Sequence, residues 1–155
     1  MKFEIRPIEQ GESTTCEAIM RSLPQWFGIE SALVEYADNT ELMETYIITS
    51  EDLAFGFITL KQHNRYSAEI HVMAIKDGFH RQGAGRALVA YAEGILRAKG
   101  IEYLQVKTLG PSHPDKNYQM TRLFYEAIGF RPLEENLRIW DESNPCLILV
   151  KSLCA

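Results

Sequence analysis

Residues 76–88 read KDGFHRQGAGRAL, with Gly83 and Gly85 one residue apart among basic side chains. The run sits between a β-rich stretch and an apolar helical pattern. The first N–H groups of a helix have no intrahelical partner and lie at the positive end of its dipole. Glycines let a bulky anion come close to those groups, so the chemistry implied is anion binding, with phosphate the foremost candidate. Two nucleotide motifs fail here. A P-loop needs Lys-Ser or Lys-Thr after its second glycine. Gly78 and Gly83 have the spacing, but Ala84-Gly85 stands in that place. A dinucleotide fingerprint needs a third glycine where Leu88 stands. Just upstream, SAEIHVMAI (67–75) alternates with period two, which puts Glu69, His71 and Met73 on one face. A carboxylate and an imidazole there can each take a proton.

The elements that must position these groups follow from the pattern. KFEIRPI (2–8), TYIITS (45–50), LAFGFITLKQ (53–62), SAEIHVMAI (67–75) and YLQVKTL (103–109) read as strands, and Glu51-Asp52 reads as a hairpin turn. Helices are expected over 11–23, capped near Ser13, over 30–44, over 84–99 with Lys99-Gly100 closing, and over 118–128 before Gly129. FRPLEENLRIW and PCLILVK close the chain as two strands. The order β-α-α-β-β-β-α-β-α-β-β makes an α+β (mixed α/β) domain, read as one domain over residues 1–155.

Composition narrows the classes. No apolar run reaches the length of a membrane span, and MKFEIRPIEQ lacks a signal-peptide pattern. Cys16, Cys146 and Cys154 form neither a CxxC pair nor a metal-ligand spacing, which fits a reducing cytoplasm. A net charge of −5 disfavours nucleic acid and leans toward a cationic acceptor.

His80-Arg81-Gln82-Gly83-Ala84-Gly85 resembles the (Gln/Arg)-x-x-Gly-x-(Gly/Ala) pyrophosphate loop of the GNAT superfamily of acetyl-CoA-dependent N-acetyltransferases, with His80 where Gln or Arg is usual. Phe124-Tyr125-Glu126-Ala127-Ile128-Gly129-Phe130 resembles the closing FYxxxGF motif of that family. The resemblance covers most of the chain. It implies a central, mostly antiparallel twisted sheet of about seven strands, flanked by about four helices, in which the strands on either side of the loop helix splay apart. It implies acetyl-CoA as cosubstrate and no metal. His80, Arg81, Gln82, Gly83, Ala84, Gly85 and Arg86 would surround the pyrophosphate. The backbone of Met73, Ala74 and Ile75 would pair with the pantetheine arm, and residues 106–109 would form the other wall. Tyr125 would lie near the CoA sulfur as general acid, its protonated phenol suiting the leaving thiolate. Tyr118 departs from the Asn common seven residues before that tyrosine.

Direct attack on the thioester requires an uncharged amine, so a base is needed. Ala68-Glu69-Ile70 resembles the strand that carries the base glutamate in histone acetyltransferases of this superfamily. His71 matches a histidine base of the arylalkylamine branch. Glu69, His71 and ordered water therefore stay open as alternatives, as does a structural pairing of Glu69 with Arg65. By the same resemblance residues 24–46 cover a primary-amine acceptor, small molecule or peptide, with Trp26, Phe27 and Tyr36 as aromatic contacts. Glu30, Glu35, Asp38, Glu41 and Glu44 either face that acceptor or form a solvated acidic face. Trp140 is a candidate second lip, and Ser112–Lys116 a loop that could close over the cofactor. The competing functional reading is a CoA or acyl-CoA sensor without turnover. Oligomeric state stays open, a homodimer included.

Overall fold

Alternation settles the strands most sharply where the burial is most one-sided. In the computed structural model, which describes residues 2–154, the alternating run Ser67–Ile75 is a strand over its full length, and its Ala68, Ile70, Val72 and Ala74 are all buried. The elements in chain order are β1 (Glu4–Pro7), α1 (Ser13–Arg21), α2 (Glu30–Asn39), β2 (Glu44–Ser50), β3 (Leu53–Gln62), β4 (Ser67–Ile75), α3 (Ala84–Ala98), β5 (Tyr103–Leu109), α4 (Lys116–Ala127), β6 (Arg131–Asp141) and β7 (Asn144–Ser152). A single 3₁₀ turn, Asp77–Phe79, lies between β4 and α3. The strands form one seven-stranded sheet in the order β1-β2-β3-β4-β5-β7-β6. Pairing is antiparallel for β1–β2, β2–β3, β5–β7 and β6–β7, and parallel for β4–β5. No described helix is long and apolar enough to cross a membrane.

By contact density the chain divides into two compact units. The first comprises the residues up to Lys61 together with His71–Ile95. Its core gathers Cys16, Ile19, Met20 and Leu23 from α1 and the residues after it, Leu33 and Ala37 from α2, Ile47 from β2, Phe57 from β3, and Val72 and Ala74 from β4. Burying side chains of this kind is worth about 1.5–3 kcal/mol each, which is what holds a helix of only nine or ten residues in place. The second unit comprises Gln62–Ile70 and Leu96 onward. Leu104, Val106, Tyr125, Phe130, Leu147, Leu149 and Leu153 are buried there.

At three helix boundaries the difference from the sequence expectation has a local reason. Ser13 is the first residue of α1, not its cap, and no side chain caps that helix; the neighbouring Glu12 is held by Arg6 instead, at 2.7 and 2.8 Å. α2 stops at Asn39, short of 44, because β-rich 44–50 is claimed by the sheet and the Thr40 hydroxyl donates to Ala37 O at 2.7 Å. α4 starts two residues before 118. Asp115 caps it by accepting from the N–H groups of Asn117 (2.8 Å) and Tyr118 (3.2 Å).

The β2–β3 hairpin has Glu51 at φ +50° and Asp52 at φ +65°, the positive values a two-residue turn matching strand twist demands. Further along β3, Gly56 answers a different constraint. A Cβ there would lie 2.6 Å from Ile75 Cδ1, 2.9 Å from Ile48 Cγ2 and 3.0 Å from the Ala74 carbonyl oxygen. The two side chains can move, but the carbonyl belongs to a fixed strand. Gly56→Ala is therefore expected to lower unfolding stability by about 1–3 kcal/mol, read from the urea midpoint at unchanged slope.

Candidate active site

The loop before α3 is built as its glycines suggest. The first intrahelical bond runs from Ala87 N–H to Gly83 O at 2.9 Å. The N–H groups of Ala84, Gly85 and Arg86 thus precede the helical ladder and have no acceptor within it. Gly83 has φ +85° and Arg81 φ +61°. The position a Cβ would take on Gly83 or Gly78 meets nothing within 4 Å. Gly83 is therefore required for its backbone angle, and the space beside it is open. Arg81, Gln82 and Arg86 are exposed, and Ala84 is buried. Such a turn suits a bulky anion held by main-chain donors.

His80 has a different job from its neighbours. Its Nε2–H donates to the carbonyl of Ile75 at 2.6 Å, its ring meets Trp26 edge-on at 5.8 Å, and Nδ1 lies 3.5 Å from Asp77 Oδ1. It braces the end of β4 against the start of the loop. Phe79 stacks on Phe55 of β3 at 4.2 Å, which anchors the same segment from the other side.

The backbone of β4 is divided between two edges. Lys76 N–H bonds to Phe55 O of β3 at 2.8 Å, and the Ala74 carbonyl lies against Gly56. In an extended strand successive residues point their N–H and C=O to opposite edges. Residues 74 and 76 therefore serve β3, while Met73 and Ile75 point to the other edge. The parallel ladder to β5 occupies that edge only from Ser67↔Tyr103 to Ile70↔Val106. Ala74, expected to offer its backbone to a pantetheine arm, has its carbonyl against Gly56 of β3. Met73 is suitably directed, and the Ile75 carbonyl already accepts from His80.

Near the middle of β4, His71 is half-buried. Asn39 Nδ2 donates to its Nε2 at 3.3 Å, and Tyr36 meets the ring edge-on at 5.2 Å. Phe27 in turn contacts Tyr36 at 6.2 Å. Trp26, Phe27 and Tyr36 are all partly buried against the first unit's core. The acidic residues around them divide by position. Glu30 is paired with Arg21 (2.8 and 2.9 Å), Glu41 accepts from Gly11 N–H (2.8 Å), and Glu35 and Asp38 are exposed. Asn39 was not singled out in the sequence.

In the second unit Glu69 is buried, with 7% of its surface exposed. Its Oε1 accepts from His63 Nε2 at 2.7 Å and from Lys107 Nζ at 3.0 Å. The pairing with Arg65 is not formed: that guanidinium lies 4.6 Å over the Tyr66 ring. Neither His63 nor Lys107 stood out in the sequence. Lys107 becomes legible once the register is known, because Glu69 faces Gln105 and residue 107 lies two further along the same face. His63 is brought round by a tight turn, in which Asn64 Oδ1 accepts from Tyr66 N–H (2.8 Å) and Ser67 N–H (3.0 Å). Tyr125 is buried between Phe124 (5.2 Å) and Phe130 (5.4 Å), and that burial pushes its phenol well above the ordinary tyrosine value. Gly129, at φ +108°, turns the chain so that Phe130 N–H bonds back to Tyr125 O at 3.0 Å.

Also in the second unit is a recess of about 450 Å³ lined by Ser112, His113, Pro114, Glu135, Leu137 and Glu142, among others. The Ser112 segment, a candidate to close over the cofactor, is bonded to β6. Glu135 accepts from both the backbone N–H (3.0 Å) and the hydroxyl of Ser112, and these bonds hold its carboxyl below the usual carboxylate range. Trp140 is exposed on β6.

Comparison with known proteins agrees with this architecture. Residues 31–132 match the family model described as the acetyltransferase (GNAT) domain. The chain belongs to the GNAT acetyltransferase family. It is 28% identical over 96 residues to an uncharacterized N-acetyltransferase of Chlorobaculum tepidum; the match takes in 60% of this chain and about half (52%) of that relative's length. Among solved structures it is similar to a protein classed with the GNAT acetyltransferases from Desulfovibrio desulfuricans, with a TM-score of 0.84 at 17% identity over 99% of this chain and 100% of that one. It is also similar to the PaiA N-acetyltransferase of Thermoplasma acidophilum in complex with coenzyme A, with a TM-score of 0.78 at 22% identity over 98% and 99% of the two chains. At these identities the likeness is one of fold.

The loop can be probed by two substitutions of opposite sign. A non-glycine residue in the left-handed region costs about 1–2 kcal/mol. Gly83→Ala is expected to lose that much stability, and Arg81→Gly to gain up to about 1 kcal/mol. Denaturant unfolding of the two variants side by side measures both.

Proposed function

We propose that this chain is an N-acetyltransferase, a single domain that transfers acetyl from acetyl-CoA to a primary amine by direct attack in a ternary complex. The observation that carries the reading is the start of α3: three main-chain donors ahead of the helical ladder, open space beside Gly83, and a strand edge at Met73 leading toward them. These features fit the pyrophosphate and pantetheine of a CoA thioester. The coenzyme A in the Thermoplasma acidophilum structure supports the same cofactor class. Acetyl-CoA would supply the activated acyl group; the protein's part is to hold it, take a proton from the amine and return one to the thiolate.

Glu69 is the preferred proton acceptor. His71 has Nε2 engaged by Asn39, so a proton arriving there must displace that bond. Tyr125 is the proton donor to the leaving sulfur. Its raised phenol keeps it protonated through and beyond the ordinary tyrosine range near pH 10. Because the acid form is the active one, loss of its proton would begin only above that range. The rate is therefore expected to show no alkaline fall from Tyr125 below about pH 10. Arg81, Gln82 and Arg86 add donors at the pyrophosphate, and Trp26, Phe27 and Tyr36 bound the acceptor. The chain is proposed to work in the cytoplasm, without nucleic acid, membrane or metal.

The pairing of Glu69 with Lys107 favours a second reading, CoA binding without turnover, in which Glu69 serves only as part of a charge cluster. Thiol release from acetyl-CoA across a panel of polyamines, aminoglycosides and peptides with free N-termini separates the two. The expected result is release with at least one amine, reduced about 10²- to 10⁴-fold by Glu69→Gln and by Tyr125→Phe with coenzyme A affinity retained. Tight coenzyme A binding with no release by any amine would leave the sensor reading standing.

A further inference from the structure

Glu69 holds its two oxygens in different situations. Oε1 takes both hydrogen bonds, from His63 Nε2 and Lys107 Nζ. Oε2 accepts from no described residue. Among the described residues the one buried side-chain polar atom without a partner is His113 Nδ1. Oε2 is therefore not sealed, even though the Glu69 side chain as a whole is only 9% exposed. One oxygen is tied and one is presented.

The groups around this carboxylate come from three other elements. Lys107 projects from β5 and is 25% exposed at its side chain; His63 precedes β4 and is 29% exposed. Cys146 of β7 is also within electrostatic range: burial pushes its thiol up to about 11, with Lys107 lowering it and Glu69 raising it. Cys146 is thus an uncharged neighbour at neutral pH. The charges that matter are the Glu69 carboxylate and the Lys107 ammonium, with the His63 imidazole as a second donor. Charge-assisted bonds of this kind fix a carboxylate's orientation as well as its charge.

We propose that Lys107 and His63 are positioning residues for Glu69: by anchoring Oε1 they fix the carboxylate's orientation and present Oε2 to the acceptor ammonium. This rests on Glu69 being the base. In the step itself the ammonium N–H bond breaks, the proton passes to Oε2, and the nitrogen keeps the electron pair with which it attacks.

The test is steady-state kinetics of the full chain with the fastest acceptor from the amine panel. Losing an anchor of Oε1 lets the carboxylate turn, so Lys107→Met is expected to lower kcat tenfold or more with KM and coenzyme A affinity unchanged, restored by Lys107→Arg. His63→Gln keeps an N–H donor and is expected to preserve kcat, while His63→Phe lowers it tenfold or more with KM unchanged. Wild-type kcat in Lys107→Met and in His63→Phe, with Glu69→Gln inactive, would sink this proposal and leave the base reading intact. Wild-type turnover in Glu69→Gln would instead sink the base reading.

Discussion

A strand has two hydrogen-bonding edges, and β4 cannot give both to the sheet along its whole length. The ladder to β5 stops at Ile70↔Val106. Beyond it, residues 74 and 76 remain committed to β3, and residues 73 and 75 have an edge to themselves. An unpaired edge in a sheet is normally a cost, since buried main-chain groups need partners. Here it is met in part by His80, whose ring satisfies Ile75 O. The direction of Met73 follows from the phase that the Lys76–Phe55 bond sets, and His80 ties the segment before α3 to the end of the strand.

The tightness at Gly56 belongs to the same constraint. β3 approaches β4 closely enough that no side chain fits between Ile48, Ile75 and the Ala74 carbonyl. This pins the last residues of β4 against β3, and a looser contact there would let residues 73–75 shift along the strand.

Much of this was legible in the residues themselves. SAEIHVMAI and YLQVKTL alternate, LAFGFITLKQ is a β-rich run buried on both faces, and all three are strands where the residues put them. Glu51-Asp52 turned the hairpin as expected, and Gly129 occupies the left-handed angle suggested by its place after a helix. What could not be read depended on partners distant in sequence. His63 and Lys107 reach Glu69 across separations of 6 and 38 residues, which no local periodicity encodes. Asn39 meets His71 across 32. The start of α4 was misplaced because Asp115 draws the helix back through a cap, and a short polar loop gives little sign of where that happens. The commitment of Ala74 to β3 follows from strand phase, and phase is fixed only when the neighbouring strand is in place.

The last strand in the sheet order, β6, carries Leu133, Leu137, Ile139 and Trp140 exposed on a single 11-residue edge. A flat ribbon with that composition would template addition of further strands and drive aggregation. β6 is not flat. Its register to β7 breaks between Pro132 and Glu134 and again between Asn136 and Asp141, and charged Arg131, Glu134, Glu135 and Arg138 interrupt the apolar run. Proline, irregular register and charge are the means by which natural edges resist end-on growth of a sheet. The same irregularities that make β6 look poorly formed work against its pairing with a further strand.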